Sequence, residues 1–274
     1  MSHTVAEVNA AVEALWPPSG TEPWDAPGLL SGNPLAPVSS ILLAVDAVGA
    51  TVDEAVAAGA DLLLVHHPLL LRGVTAVAET TAKGSMLARL IRADCALIAA
   101  HTNADVVETG TSAVFADRLS LLEARPIVPS ADNPDRGIGR VGRLAEPTTL
   151  GALARRLGDL LPATASGIRV SGDFDAPIAI VALCGGAGDS LLSDPAVLGA
   201  DVYITSDLRH HPASESRENA AAAAGGPALV DVSHWASEWL WLDTAATELR
   251  AALPGVTITV SDLRTDPWDF VVLQ

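Results

Sequence analysis

Two adjacent histidines, His66 and His67, close an aliphatic run in the segment GADLLLVHHPLLLRG, Gly59 to Gly73. The chain holds only seven histidines in 274 residues, so the pair asks for an explanation. Imidazole binds transition metals and moves protons near neutral pH. Neighbouring side chains on an extended backbone point to opposite faces, and Pro68 keeps His67 extended. Two imidazoles placed that way do not easily share one ion, but each can hold one of two adjacent ions. A core histidine beside an exposed one is the other reading of the pair.

Two further segments carry matching chemistry. In HTNAD, His101 to Asp105, a histidine and an aspartate flank Asn103 where the chain leaves an apolar run. Asp105 is either a hard oxygen ligand or a helix N-cap. In SHWASEW, His234 and Glu238 stand at i and i+4, on one face of a helix. A surface hydrogen-bonded pair would have the same spacing. Trp235, Trp239 and Trp241 beside them suggest an aromatic wall or ordinary packing. Together, His66, His67, His234, Asp105 and Glu238 form a mixed imidazole and carboxylate set suited to Zn, Mn, Fe, Co or Ni rather than to Ca or Mg alone. Five protein ligands exceed what one catalytic zinc takes. They suit two ions, which about 3.5–4 Å apart can activate water and clamp a phosphoryl or carbonyl oxygen.

The elements that must position these residues read as strands and helices in alternation. SSILLAVDAV (39–48), DLLLV (61–65) and CALIAA (95–100) are short aliphatic runs of buried-strand type. TVDEAVAAGA and GSMLARLIRAD between them read as helices, the first with a capping box from Thr51 to Glu54. That is a βαβ pattern with parallel strands. A middle stretch from about Arg125 to Asp175 is richer in Pro, Gly and Asp, and carries a few strands and the amphipathic helix TLGALARRLGDLL. The pattern then returns with the strands PIAIVAL and DVYIT, and GADVYITSDLRHHP echoes GADLLLVHHP, which points to an internal duplication. The poly-Ala stretch Ala220–Ala224 reads as a helix closed by Gly225 and Gly226. HWASEWLWLDTAATELRAAL reads as one long amphipathic helix before the strand VTITV. His66, His67, His101, His210, His211 and His234 all fall at strand ends or helix caps, where open α/β sheets gather ligands. CGGAGDS, Cys184 to Ser190, is a tight turn or a backbone anion cradle. It is neither a dinucleotide fingerprint nor a P-loop.

Composition narrows the class. The chain is 49% hydrophobic, with 33 acidic and 16 basic residues and a net charge of −17. That sign argues against nucleic acid and anionic membrane surfaces as partners. Cys95 and Cys184 read as buried small hydrophobes rather than a disulfide. Neither a signal peptide nor a membrane-length apolar run is apparent, so a soluble, cytoplasmic α/β protein is expected.

These motifs, in their order, give the chain its resemblance to the NIF-three-like dinuclear metal centre proteins, also called GTP cyclohydrolase I type 2 homologues. EPWDAPGLLSG resembles the family's Trp-Asp-Asn-Val-Gly-Leu segment, with Ala26 and Pro27 in place of Asn and Val. AVAAGADLLLVHHPLL is the specific signature, and HTNAD, GIGRVGRL, CGGAGDS, SDLRHH, SHWASEW and TDPW follow in family order. The resemblance implies that His66, His67, Asp105, His234 and Glu238 bind two divalent transition-metal ions. It implies two similar α/β lobes with mixed sheets flanked by helices, facing a metal cleft, and a toroidal homo-hexamer. The lobes would span residues 1–125 and 126–274, the second including the connector; the extra domain that many relatives carry between lobes does not fit in this length. His101 is the candidate proton donor or acceptor, and His210 and His211 look like pocket or second-layer residues. The expected function is a metal-dependent hydrolase of a phosphoester or nucleotide, GTP cyclohydrolase-like. The alternatives are a metal-handling or regulatory protein and an oligomeric scaffold.

Overall fold

The computed structural model describes residues 3–223 and 225–273. The chain forms two compact units, Met1–Val107 with Leu242–Thr265, and Glu108–Trp241 with Asp266–Gln274. A division near residue 125 would leave the last helix and strand with the second lobe. Instead they complete the first unit, because the closing strand pairs with the first long strand of that unit.

The first unit runs β1 (His3–Thr4), α1 (Val5–Leu15), β2 (Gly28–Ser31), β3 (Pro37–Val38), β4 (Ser40–Asp46), α2 (Gly49–Ala57), β5 (Leu62–His67), α3 (Ala82–Arg92), β6 (Ala96–Ala99) and α4 (Thr102–Asp105). The second runs α5 (Thr111–Arg118), β7 (Leu122–Arg125), β8 (Val128–Pro129), β9 (Gly137–Ile138), β10 (Arg140–Thr149), α6 (Leu150–Leu160), β11 (Arg169–Ser171), β12 (Pro177–Ala187), α7 (Pro195–Leu198), β13 (Val202–Ser206), α8 (His210–Ala222), β14 (Ala228–Val232) and α9 (His234–Trp239). Helix α10 (Leu242–Ala252) and strand β15 (Thr257–Val260) return to the first unit.

The first sheet has the order β15-β4-β5-β6-β2, with β15, β4, β5 and β6 parallel and β2 antiparallel at the edge. Its central strands are continuously aliphatic because both faces are covered. Leu42, Leu63, Val65 and Leu97 pack with Val52, Leu87 and Leu90 of α2 and α3. The alternate residues Ile41, Leu43, Leu62, Leu64 and Ile98 are equally buried, and α10 lies along β4. The second sheet, β11-β14-β13-β12-β10-β7, is mixed: β12, β13 and β14 are parallel, and the flanking strands antiparallel.

The two units repeat one set of local bonds. Asp61 and Asp201, the aspartates of the two Gly-Ala-Asp segments, do the same work. Asp61 Oδ2 accepts from the backbone N–H groups of Ser39 and Ser40 at 2.8 and 3.0 Å; Asp201 Oδ2 accepts from Ala179 and Ile180 at 2.7 Å each. A second echo, SGNPLAPV (31–38) and SGDFDAPI (171–178), builds equivalent bends. Val5 N–H bonds Ala36 C=O as Leu150 N–H bonds Ala176 C=O, both at 2.9 Å. Gly32 and Gly172 hold positive φ and press on Ala96 and Ala228, where a Cβ would come within 2.6 and 2.9 Å of the alanine methyls.

Three local expectations change. The helix after β4 begins at Gly49, so Thr51 sits inside its first turn, accepting from Val48 N–H and donating to Asp46 C=O, while Glu54 takes the Ser261 hydroxyl instead of capping. The long C-terminal helix is two, α9 and α10, broken at Leu240 and Trp241; α9 packs on β12 and β13, whereas α10 packs on β15 and β4. A single amphipathic period runs through both and hides the break. The poly-Ala helix extends to Ala222, and Ala224 lies outside the described residues. Cys95 and Cys184 are buried and form no disulfide, and burial pushes the Cys95 thiol up to about 11. Among the described residues no helix is long and apolar enough to cross a membrane.

Candidate metal centre

In the first unit the carboxyl ends of β4, β5 and β6 gather three imidazoles. The rings of His66 and His67 have centroids 5.0 Å apart, and His101 lies 5.1 and 5.4 Å from them. One ligand atom from each falls within 4.8 Å of the others, a group that can hold a metal ion. The opposed directions expected for neighbours on a strand are therefore overcome at its very end, where each ring is pulled by its own acceptor. His66, fully buried, donates Nδ1–H to Ala100 C=O at 2.9 Å. His67 Nδ1 is held by Asp46 Oδ1 at 2.7 Å, and Asp46 is itself gripped by the Thr265 hydroxyl. Asp105 closes α4 rather than capping its start, and its Oδ1 is 3.6 Å from His66 Nε2.

His101 precedes α4. Its Nδ1 is held by Asp25 Oδ1 at 2.8 Å, while Asp25 Oδ2 accepts from the N–H and hydroxyl of Thr102 at 3.1 and 2.5 Å. Asn103 Oδ1 takes the His101 N–H and its amide donates to Trp16 C=O, fixing the turn. Burial and the neighbouring His66 lower the His101 pKa against the pull of Asp25. Burial works to raise Asp25, yet its bonds from His101 and Thr102 hold the carboxyl below its ordinary value. His101 is thus neutral near pH 7, with Nε2 as its basic atom.

The second unit places His234 at the start of α9, capped by Ser233, whose Oγ accepts the Ala236 N–H. His234 Nδ1 is held by Asp207 Oδ2 at 2.7 Å and its Nε2 lies 3.0 Å from Glu238 Oε1. Although burial opposes charge, Glu238 and Asp207 raise the His234 pKa to about 11. The glycine loop wraps this pair closely. Gly186 has φ +70, and a Cβ there would meet Glu238 Oε1 at 2.4 Å and His234 Nε2 at 3.3 Å. Its N–H donates to Ser237 Oγ and that of Gly185 to Ser112 Oγ. These amides are committed inside the protein, so the anion-cradle reading gives way to close backbone approach.

His210 and His211 do not join either group. They open α8, exposed, with ring centroids 5.1 Å apart. In the register set by Asp61 and Asp201, the positions equivalent to His66 and His67 are Ser206 and Asp207 at the end of β13. Sequence reasoning missed Asp25, Asp46 and Asp207. The strand-end rule could have found Asp46 and Asp207, which close or follow β4 and β13; Asp25 lies in a loop with no periodic signal.

Mixed α/β sheets with imidazoles converging at strand ends define an α/β protein with a candidate transition-metal site. The chain belongs to the Duf34/NIF3 (NGG1p interacting factor 3) family, whose profile matches residues 3–267. It is 47% identical over 270 residues to a Streptomyces coelicolor protein named GTP cyclohydrolase 1 type 2 homolog, covering 96% of this chain and 93% of that one. A Mycobacterium leprae protein of the same name is 34% identical, covering 98% and 96%. Its alignment spans 376 positions, so that relative carries residues this 274-residue chain lacks. Among solved structures, a Bacillus cereus protein related to NIF3 has the same fold, with TM-score 0.89 and 23% identity over 98% of this chain and 99% of that one. Reduced HcgD from Methanocaldococcus jannaschii also shares it, with TM-score 0.78 and 23% identity over 96% and 99%.

Proposed function

We propose that the protein is a dinuclear metal-dependent hydrolase acting on a phosphoester or nucleotide. His66, His67, Asp105, His234 and Glu238 would hold two divalent transition-metal ions. The observation that carries this reading is the shared setting of the imidazoles. Nδ1 of His66, His67 and His234 is each committed to a carbonyl or carboxylate acceptor. That arrangement leaves Nε2 as the atom that would ligate an ion, as outer-layer acceptors do for metal-binding histidines. The donor set fits a borderline or soft-leaning transition metal. Bound ions would supply Lewis acidity and water activation.

The remaining chemistry belongs to the chain. His101, with Nδ1 tied to Asp25 and a lowered pKa, accepts a proton at Nε2. The buried Asp25 keeps that tautomer in place. Similarity to proteins named GTP cyclohydrolase 1 type 2 homolog directs the substrate class toward nucleotides. The repeated bonds of the two units support descent from one duplicated lobe, and a homo-hexamer is the assembly we propose by the same family resemblance.

The test is elemental mass spectrometry on protein purified without chelator or histidine tag, followed by turnover assays on GTP and phosphoesters. About two ions per chain are expected, lost in His67→Ala. His101→Gln should retain the metal and lose turnover. Persistent absence of metal after incubation with Zn, Mn and Fe overturns the reading. Full metal without turnover on any phosphoester or nucleotide leaves a metal-handling protein.

A further inference from the structure

The carboxylates behind the first unit's imidazoles are themselves held. Asp46 takes the Thr265 hydroxyl, and Asp25 takes the N–H and hydroxyl of Thr102. Asp207, the acceptor for His234 Nδ1, has no such grip: among the described residues its carboxyl, 63% exposed, bonds only His234. It also leaves β13 with φ +56, a left-handed conformation that a residue other than glycine keeps only where its surroundings hold it. A carboxylate placed so openly would swing freely in water, yet it meets His234 Nδ1 at 2.7 Å. Something beyond the pair must fix it.

The neighbouring strands supply the restraint. Asp231 on β14 is buried, and its carboxyl accepts from the N–H of Leu208, the residue after Asp207. The Leu208 side chain packs on the core of the second unit, so the turn is pinned at residue 208 by both backbone and side chain. Arg169 on β11 stands directly opposite Asp231 and pairs with its Oδ2; directly opposed residues share a sheet face. The same guanidinium attracts Asp207, whereas Asp207 and Asp231 repel each other. Glu238 adds a third negative charge beside Asp207. Arg169 is the cation that offsets this crowding.

We propose that Asp231 and Arg169 are positioning residues for His234. Asp231 fixes the turn that aims Asp207 at His234 Nδ1, and Arg169 keeps the two aspartates from pushing each other apart. The consequence for metal rests on His234 being a ligand; the positioning does not.

Plain electrostatics and positioning give opposite results. Removing a cation near a metal site strengthens cation binding, and removing an anion weakens it. Arg169→Gln should instead bind Zn or Mn about tenfold more weakly than the native protein, in competition with a chelating dye. Asp231→Asn keeps an oxygen for the Leu208 N–H and ends the repulsion, so adding it to Arg169→Gln should recover most of that affinity. Arg169 is 65% exposed, and an unchanged melting temperature should show that its replacement leaves the fold intact. Native or tighter binding in Arg169→Gln, or no recovery in the double variant, overturns the proposal and leaves an ion pair that only ties β11 to the sheet.

The same variants without metal separate positioning from the metal reading. In protein isotope-labelled at the histidine nitrogens, the His234 Nδ1–H held by Asp207 should give a slowly exchanging resonance. It should persist in Arg169→Gln/Asp231→Asn and broaden by exchange in Arg169→Gln and in Asp231→Ala. A resonance unchanged in those last two overturns the proposal, whatever happens to metal affinity. The expected pattern in a chain that takes up no metal supports the positioning and removes the hydrolase.

Discussion

At the residue scale, four imidazoles share one device. His66, His67, His101 and His234 each commit Nδ1 to a fixed acceptor, three of these being the carboxylates Asp46, Asp25 and Asp207. Such acceptors set the tautomer, the ring angle and the basicity of the other nitrogen. Asp46→Ala removes the acceptor of His67 and frees Thr265, so metal affinity should fall by about 10–100-fold, as measured by competition with a chelating dye. Gly186 contributes by having no side chain. Gly186→Ala puts a methyl against Glu238 and His234 in a left-handed backbone, and should destabilise the protein by about 1–3 kcal/mol, read as a lowered urea midpoint, while weakening metal retention.

At the element scale, the two Gly-Ala-Asp segments show how a short polar motif sets strand register. Asp61 and Asp201 stand just before β5 and β13, and each clamps consecutive N–H groups of the neighbouring strand. Losing such a charge-assisted clamp should cost about 1.5–3 kcal/mol, so Asp61→Ala should shift chemical denaturation accordingly. Burial works to raise the Asp61 pKa, but the bonds from Ser39 and Ser40 outweigh it and hold the carboxyl below its ordinary value. A carboxylate depressed in the folded state contributes stability above its unfolded pKa of about 3.9, and that contribution is lost as pH falls through the lower folded value. The stability difference between the native protein and Asp61→Ala should therefore hold steady above about pH 5 and shrink below pH 4, as followed by denaturation at each pH.

At the scale of the whole molecule, a metal held at the proposed site would be linked to folding. A ligand that binds only the folded chain stabilises it by about 2.7 kcal/mol at a hundred times its dissociation constant. For units of this size that corresponds to a rise of roughly 5–10 °C in melting temperature. Scanning calorimetry with a chelator and then with added Zn or Mn should show this rise in the native protein. His67→Ala should show little of it. An unchanged melting temperature in both would contradict a site that closes around metal in the native fold.

Much of the site was legible because its chemistry is local. A histidine pair ending an aliphatic run, His101 and Asp105 in one short segment, and His234 and Glu238 one helical turn apart all declare themselves through residue type and spacing. The alternation of aliphatic strands and helices was equally readable, since burial on two faces forces continuous apolar runs. What the linear order could not decide was contact between residues distant along the chain. That Asp25 holds His101, that Asp46 and Thr265 stand behind His67, and that α10 and β15 return to pair with β4 are matters of packing. The same holds for the break at Leu240 and Trp241, where one amphipathic period continues across two helices with different partners. The candidate metal ligands were therefore determined by the sequence itself. The groups that aim them were decided only by the tertiary structure, because the acceptor nearest in space to a buried imidazole is chosen by how the sheets close and not by its place in the chain.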